Sequence, residues 1–388
     1  MKKCGIICEY NPLHNGHVKH IAIAKEQSNC DALVCIMSGN FVQRAEGAVF
    51  NKFERARHAI LAGADIVIEL PTVFAVNSAQ DFAYGAVSIL DSLKCDCLHF
   101  GSESGSIESL LHLSDFLLSP SAEFQKLLKD NLGSGMSYPA SVSAAVQPFF
   151  ESNLLASPNN SLAIEYIKAI RELNSKIIPM TVLRSDNYNS TDISNPFCSA
   201  TAIRNSLKTG NRSRIKKNVP DFVYDSLINS PIFDENEFHN FEHRYFSTVS
   251  ACTLKNILGV EEGLENRLAK FSGEPDFNNM LRKVKSKRYT MLKLKRIILN
   301  CILGIDKNLM IQAKQMKPYW KVLAIEESRL DILSDLAQKK EASSIKELDE
   351  KQQNIYDIDI KATNLYYAHI NKHGNADYTE PLLKVKRI

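Results

Sequence analysis

The stretch "KKCGIICEYNPLHNGHVKHI" (residues 2–21) runs from an apolar segment into a polar turn carrying three of the chain's ten histidines, His14, His17 and His20. Asn11 and Pro12 turn the chain out of the apolar segment, which reads as a strand, and a helical pattern begins near His14. Three residues apart, His14 and His17 share one face of the first helical turn. There the unbonded backbone N–H groups and the positive end of the helix dipole favour an anion. Gly16, with no side chain, lets a ligand approach the backbone. The stretch therefore reads as a compact phosphate site with two imidazole donors. The bland alternative is that the rings only cap or pack. In a chain of this composition His-x-Gly-His arises by chance about 1% of the time, so the strand before it and the helix after it carry the reading.

Outward from this stretch, strands and helices alternate. The strand at 2–10 and the helix from about His14 to Gln27 precede "DALVCIMSG" (31–39), the helical "NKFERARHAILAGA" (51–64) and "DIVIELP" (65–71). A helical stretch over "SAQDFAYGAVSILDSL" leads to a fourth strand candidate, "CDCLHFGSE" (95–103). "PNNSLAIEYIKAIREL" (158–173) has apolar residues at helical spacing, and "KIIPMTVL" (176–183) is strand-like. Short, continuously apolar strands between amphipathic helices predict a parallel sheet covered on both faces. Ligands of such sheets bind beyond the carboxyl ends of the strands, where the histidine stretch lies. After "FCSATAIRNSLK" (197–208) strand signals fade. Helical segments such as "TMLKLKRIILNCILG" (290–304) and "YWKVLAIEESRLDILSDLAQK" (319–339) take over, with a late strand expected at "IYDIDIKA" (355–362).

A second constellation closes the first half. "CSATAIRNSL" offers Ser199 and Thr201 as capping or phosphate-binding hydroxyls, with Arg204 about one turn into a helix. Taken alone, the stretch reads by default as a cap and a solvated arginine. Paired with His-x-Gly-His after the first strand, it resembles the nucleotidyltransferase superfamily of Rossmann-like domains. The blocks "GIICEYNPLHNGHVKHI", "ADIVIELP", "HFGSES", "SPNNSLAIEYIKAI", "SATAIRNSL" and "DIKATNLYYA" follow in an order similar to the bacterial tRNA(Met) cytidine acetate ligase family.

The resemblance implies an α/β fold: a Rossmann-like parallel sheet over residues 1–205 that binds ATP and adenylates, then a mostly α-helical domain over 206–388 that binds tRNA. It implies an enzyme that joins acetate and ATP into acetyl-adenylate, then passes the acetyl group to the exocyclic amine of the wobble cytosine in elongator tRNA(Met). ATP contacts are expected at Ile7, Cys8, Glu9, Tyr10, Asn11, Pro12, Leu13, His14, Asn15, Gly16, His17, Val18 and His20. Further contacts are expected at Gly101, Asn160, Arg184, Ser199, Thr201 and Arg204. His14 and His17 are the expected catalytic pair, facing the reacting phosphates, while Arg184 and Arg204 hold the triphosphate beside Mg²⁺. One departure stands out: "QRAEGAVFNKFERAR" has Ala45 where the family pattern leads us to expect glycine, which bears on the loop near Arg44.

Residues 282–296, "RKVKSKRYTMLKLKR", hold eight Lys or Arg and no acid. Thr290 is placed to cap a helix ending at Gly304, with Leu294, Ile297, Ile298 and Cys301 as its apolar face. Lys293 and Arg296 then fall together on the other side. With Lys285 and Arg288 they are the expected tRNA contacts, and a second basic run lies at "KTGNRSRIKKN" (208–218).

Composition adds bounds. The chain is 44% hydrophobic and 23% charged with a net charge of +3, which is ordinary for a folded protein. The first apolar run stops at Glu9 with no small-residue cleavage site after it, so it reads as a strand and not a secretion signal. No apolar stretch approaches the roughly 20 residues that span a bilayer, and a cytoplasmic protein is expected. The nine cysteines lack zinc spacing; Cys95, Cys97 and His99 merely alternate along a strand, so no metal site is expected. The rival readings are an adenylyltransferase acting on a phosphorylated cofactor precursor, which would not need a helical half with two basic runs, and an RNA-binding protein with a regulatory nucleotide pocket. The oligomeric state and the choice of acetate over other short carboxylates are not written in the sequence.

Overall fold

A computed structural model describes residues 1–150, 154–184, 195–210, 212–261, 263–338 and 343–387. Its centre is a seven-stranded sheet: β1 (Lys3–Cys8), β2 (Ala32–Ser38), β3 (Ile66–Leu70), β4 (Cys97–Ser102), β5 (Ile178–Leu183), β6 (Val322–Glu326) and β7 (Leu383–Val385). The spatial order is β7-β6-β3-β2-β1-β4-β5. The first five strands are parallel, β6 runs antiparallel to β3, and β7 is parallel to β6 at the edge. Every residue of β2 and β3 is buried, as continuously apolar strands covered on both faces must be.

The crossovers are α1 (Asn15–Ser28), α2 (Lys52–Leu61), α3 (Ala79–Ser92) and α4 (Pro158–Glu172). The chain steps from β1 outward through β2 to β3, then returns to β4 and β5 on the other side of β1. Right-handed crossovers therefore place α1 and α2 on one face and α3 and α4 on the other. Gly5 in β1 permits close packing there, since a Cβ at that position would meet Leu90 of α3 at 2.7 Å. The order reverses between β1 and β4. A crevice opens at such a switch point, beyond the carboxyl ends of the strands, and it is here that the histidine stretch begins α1.

The second half differs from expectation in two places. The segment read as helical at 319–339, whose last residue lies outside the described residues, begins instead with a short strand, Tyr319–Trp320, and then β6, which joins the main sheet; the α-helix forms only over Asp331–Ala337. The apolar run Val322–Ile325 is too short for its period to separate strand from buried helix. The strand expected at 355–362 lies inside a 20-residue helix, α6 (Glu350–His369), where Ile355, Tyr356, Asp359, Ile360, Thr363, Tyr366 and Tyr367 are buried at helical spacing. The helix at 290–304 forms as α5 (Met291–Leu303): the Thr290 hydroxyl accepts the Lys293 N–H at 3.2 Å, and Gly304 ends it at a φ of 83°. Leu294, Ile297, Ile298 and Cys301 pack into a separate small core with Phe246, Leu268 and Phe277, while Leu299 and Leu303 reach the main core. One helix thus ties the helical region to the sheet.

Candidate active site

The helix start at α1 is built by its histidines. His14 is the cap residue, and its Nδ1 accepts the Gly16 N–H at 3.1 Å, while His17 Nδ1 accepts the His14 N–H at 3.2 Å. The His14 carbonyl also takes the N–H groups of His17 and Val18. The sequence led us to expect unbonded amides here; instead the His14 ring takes the Gly16 N–H and the His14 carbonyl takes those of His17 and Val18. Because both Nδ1 atoms accept, each neutral ring carries its proton on Nε2. The donor capacity of the helix N-terminus is thereby moved outward onto two Nε2–H groups. Burial, and then Arg184 and Arg204, pull the His14 pKa down to about 3. Burial, and then His14, hold His17 well below the ordinary histidine range.

His20, one turn further, is tied from behind. Its Nε2 lies 2.9 Å from His99 Nδ1, and His99 Nε2 lies 2.9 Å from Gln27 Oε1. With the glutamine oxygen accepting, His99 and then His20 each donate through Nε2. Burial lowers His20 to about 3 and His99 to about 4.

A cleft of about 240 Å³ opens over these rings. Among the expected residues, Ile7, Cys8, Glu9, Tyr10, Asn11, His14, Gly16, His17, His20, Gly101, Arg184, Ser199, Thr201 and Arg204 line it. Arg204 donates to the Asn11 carbonyl at 2.7 Å and to the Thr201 hydroxyl at 3.3 Å, so the second motif grips the loop that carries the first. Ser199 caps the helix Ala200–Lys208 by accepting the Ala202 N–H at 3.1 Å. Arg184 donates to Asn159 Oδ1 at 3.0 Å. Gly101 stands against it, for a Cβ there would meet Arg184 Cγ at 2.8 Å.

Five expected contacts stand back from the cleft lining: Pro12, Leu13, Asn15, Val18 and Asn160. Leu13 is fully buried in the main core. Asn15 turns its amide to the carbonyls of Pro196 at 3.3 Å and Lys217 at 2.9 Å. Asn160 is buried and accepts the N–H groups of Glu103 and Ser104 at 2.9 and 3.0 Å, shaping the loop after β4. Its neighbour Asn159 reaches the cleft instead. Glu103 fixes both, accepting the Asn159 amide at 2.7 Å and the Asn160 N–H at 2.8 Å.

Sequence reasoning missed Lys19, Gln43, Arg44, Phe100, Leu162, Tyr166 and Phe197, which also line the cleft. Gln43 and Arg44 sit in a hairpin whose strands are Phe41–Val42 and Glu46–Gly47. Ala45 closes it at a φ of 55°, a left-handed conformation costing about 1–2 kcal/mol for a residue with a Cβ. Glu9 holds this hairpin from β1, accepting the Gln43 N–H at 2.8 Å. Buried Arg55 donates to the carbonyls of Glu9, Gly39 and Phe50, bracing the ends of β1 and β2.

Of the expected tRNA contacts, Lys285 and Arg288 are exposed. Lys293 sits 3.4 Å from Glu261 and over the Tyr289 ring. Arg296 does not share a solvated face with Lys293. Its Nε donates to the Gln43 carbonyl at 3.0 Å, because the hairpin folds back onto α5 at that turn.

The HIGH Nucleotidyl Transferase family model matches residues 1–380. The tRNA(Met) cytidine acetate ligase of Clostridium novyi (strain NT) is 37% identical over 391 residues, 97% of each chain. That of Thermoanaerobacter sp. (strain X514) is 36% identical over 401 residues, 98% of this chain and 99% of the relative. Among solved structures, the crystal structure of Thermotoga maritima TmcAL bound with alpha-thio ATP covers both chains fully, with a TM-score of 0.92 and 30% identity.

Proposed function

Because the chain belongs to the tRNA(Met) cytidine acetate ligase family of HIGH nucleotidyltransferases, we propose that its cleft activates acetate with ATP and passes the acetyl group to the wobble cytidine of elongator tRNA(Met). The observation that carries this reading is the reciprocal cap of His14 and His17 at the switch point, which frees two Nε2–H donors beside Arg184 and Arg204.

In the first step an acetate oxygen attacks the α-phosphorus of ATP; the new O–P bond forms as the bond to pyrophosphate breaks. Acetate is ionised at neutral pH, since carboxylic acids titrate near 4, so no general base is needed. The obstacle is bringing an anion up to a polyanion. His14 and His17 donate to the reacting phosphate, and Arg184 and Arg204 hold the triphosphate, a preorganised arrangement that meets charge where it develops. In the second step the exocyclic amine of cytosine attacks the acetyl carbonyl. The C–N bond forms, the C–O bond to phosphate breaks, and AMP leaves with the electron pair as the amine gives up a proton.

Glu9 is the one carboxylate among the described cleft-lining residues. A Mg²⁺ ion would therefore arrive on the nucleotide, held mainly by phosphate oxygens and water, and would neutralise phosphate charge. Lys285, Arg288 and Lys293 are the proposed tRNA backbone contacts on the helical half.

Pyrophosphate–ATP exchange tests the first step, and mass analysis of the treated tRNA tests the second. Exchange should require acetate. Exchange driven by a phosphorylated cosubstrate, with none from acetate, would replace this reading by the cofactor-precursor adenylyltransferase.

A further inference from the structure

We propose that the rim segment at residues 195–197 and the basic turn Arg212–Asn218 form one docking strip for the RNA strand bearing the target base, with Phe197 stacking on a nucleobase and Arg214 and Lys216 on flanking phosphates. The inference rests on the acetylation reading above and assigns the part of the chain that presents its substrate.

Three hydrogen bonds make the strip a single unit fixed to the catalytic helix. Asn15, between His14 and Gly16, donates to the carbonyls of Pro196 at 3.3 Å and Lys217 at 2.9 Å. Asn218 donates to the Asn195 carbonyl at 2.6 Å. The residue that follows the cap histidine therefore sets where the basic turn meets the cleft. Ile215 and Asn218 anchor the turn by burial, while Arg214, Lys216 and Lys217 are exposed.

The chemistry of the strip is that of single-stranded RNA recognition. Phe197 lines the cleft and is 43% exposed. The Lys19 ammonium lies 5.5 Å from the ring centroid. An aromatic face with cations beside it suits an unpaired base joined to a charged backbone. From Lys208 to Asn218 the sequence has no acid, so the charge complements phosphate. A base held on Phe197 would have its exocyclic amine at the mouth of the cleft in which the adenylate forms.

Direct binding of unmodified elongator tRNA(Met), measured across a salt series, tests the strip without turnover. Arg214→Ala/Lys216→Ala should weaken binding, and its log–log salt slope should shrink by about 1.4, at roughly 0.7 per single-strand phosphate contact. Phe197→Ala should lower acetyl transfer about 5- to 150-fold, the usual value of one stacked base, and Phe197→Trp should restore it. Acetate-dependent exchange in the absence of tRNA should persist in the double variant. Unchanged affinity and salt slope in that variant would overturn the strip. So would a Phe197→Ala variant whose exchange falls as far as its transfer, which would make Phe197 a wall for ATP. Absence of exchange in the wild-type protein would instead count against the acetylation reading, so the two failures are distinguishable.

Discussion

The imidazole rings of His14 and His17 stack with centroids 3.7 Å apart and planes inclined by 29°. Two charged rings at that separation would repel strongly in a buried site, so the stack holds both neutral, in keeping with their depressed pKa values. A neutral imidazole still donates through Nε2, and an arginine beside it supplies the net charge. On the proposed reading the site divides its labour accordingly: the arginines would attract the triphosphate, and the imidazoles would aim hydrogen bonds at it.

Because each ring caps the helix and is proposed to donate to substrate as well, the two roles can be separated by substitution. Asparagine is a good N-cap, and glutamine three residues on is an ordinary capping-box partner. His14→Asn/His17→Gln should keep the urea midpoint of the wild type yet slow acetyl-adenylate formation by at least about 10²-fold, the usual loss from removing one preorganised donor. His14→Ala should lose the activity and also about 1 kcal/mol of stability. A double variant with wild-type exchange rates would exclude the assigned catalytic role.

Stability should fall as the medium is acidified below the ordinary histidine pKa. His14 and His20 sit near 3 and His99 near 4, all chiefly through burial, whereas in the unfolded chain each titrates near 6.5. Between about 6.5 and 3 the unfolded state therefore binds more protons, and stability drops with pH. Asp359, raised to about 7 mainly by burial and then Glu69, works the other way, since the folded state binds its proton first. Buried Glu242, also raised, acts with Asp359, but His239, lowered to about 4, and Glu54 and Glu235, each held near 2, act with the histidines and leave the net fall intact. In His14→Asn the slope of unfolding free energy between pH 6 and 4 should shrink by roughly 1.4 kcal/mol per pH unit, one proton's worth. Urea titrations at several pH values measure it, and identical slopes would mean that His14 is not held neutral by the fold.

The five parallel strands and the position of the cleft were legible because long apolar runs and a strand–turn–helix with His-x-Gly-His are local signals. What was not legible is tertiary. Nothing in "VLAI" (322–325) says that it will pair with Ile66–Ile68 across more than 250 residues. The alternation in "IYDIDI" (355–360) imitates a strand because buried Asp359 is apolar neither in name nor in pattern. Its carboxylate takes the Thr72 N–H at 2.6 Å and the Tyr319 hydroxyl at 2.6 Å, partners from two other parts of the chain. Asn15 and Asn160 were read as ligand contacts, but their amides serve the backbone of loops that only the fold brings near.

A buried charge cluster locks the returning C-terminal segments to the sheet. Lys52 lies 2.8 Å from Glu69 and 2.5 Å from Asp377, all three almost wholly buried, and Lys321 also bonds Asp377. Removing one partner of such a set strands a charge in low dielectric, at a cost of about 3–5 kcal/mol. Lys52→Met should lower the unfolding free energy by that order, while molecules that remain folded keep their acetate-dependent exchange. A Lys52→Met protein with unchanged urea stability would show the cluster to be energetically idle.

Arg296 is expected to report on ATP and not on RNA. The hairpin bearing Gln43 and Arg44 is held at three points: Glu9 accepts the Gln43 N–H at 2.8 Å, Arg296 donates to the Gln43 carbonyl at 3.0 Å, and Lys295 pairs with Glu46 at 2.9 Å. Burial draws the Arg296 guanidinium down to about 10, which leaves it charged at neutral pH. Arg296→Ala removes one charge-assisted tie to a cleft wall, and a bond of that kind is worth about 1.5–3 kcal/mol when intact. Since two ties remain, part of that loss should appear as an ATP KM raised roughly fivefold, with tRNA affinity little changed. Lys293→Ala, whose ammonium lies beside exposed Glu261, should leave the ATP KM alone. A loss of tRNA affinity in Arg296→Ala at constant ATP KM would return that side chain to the RNA surface on which its sequence neighbours were first placed.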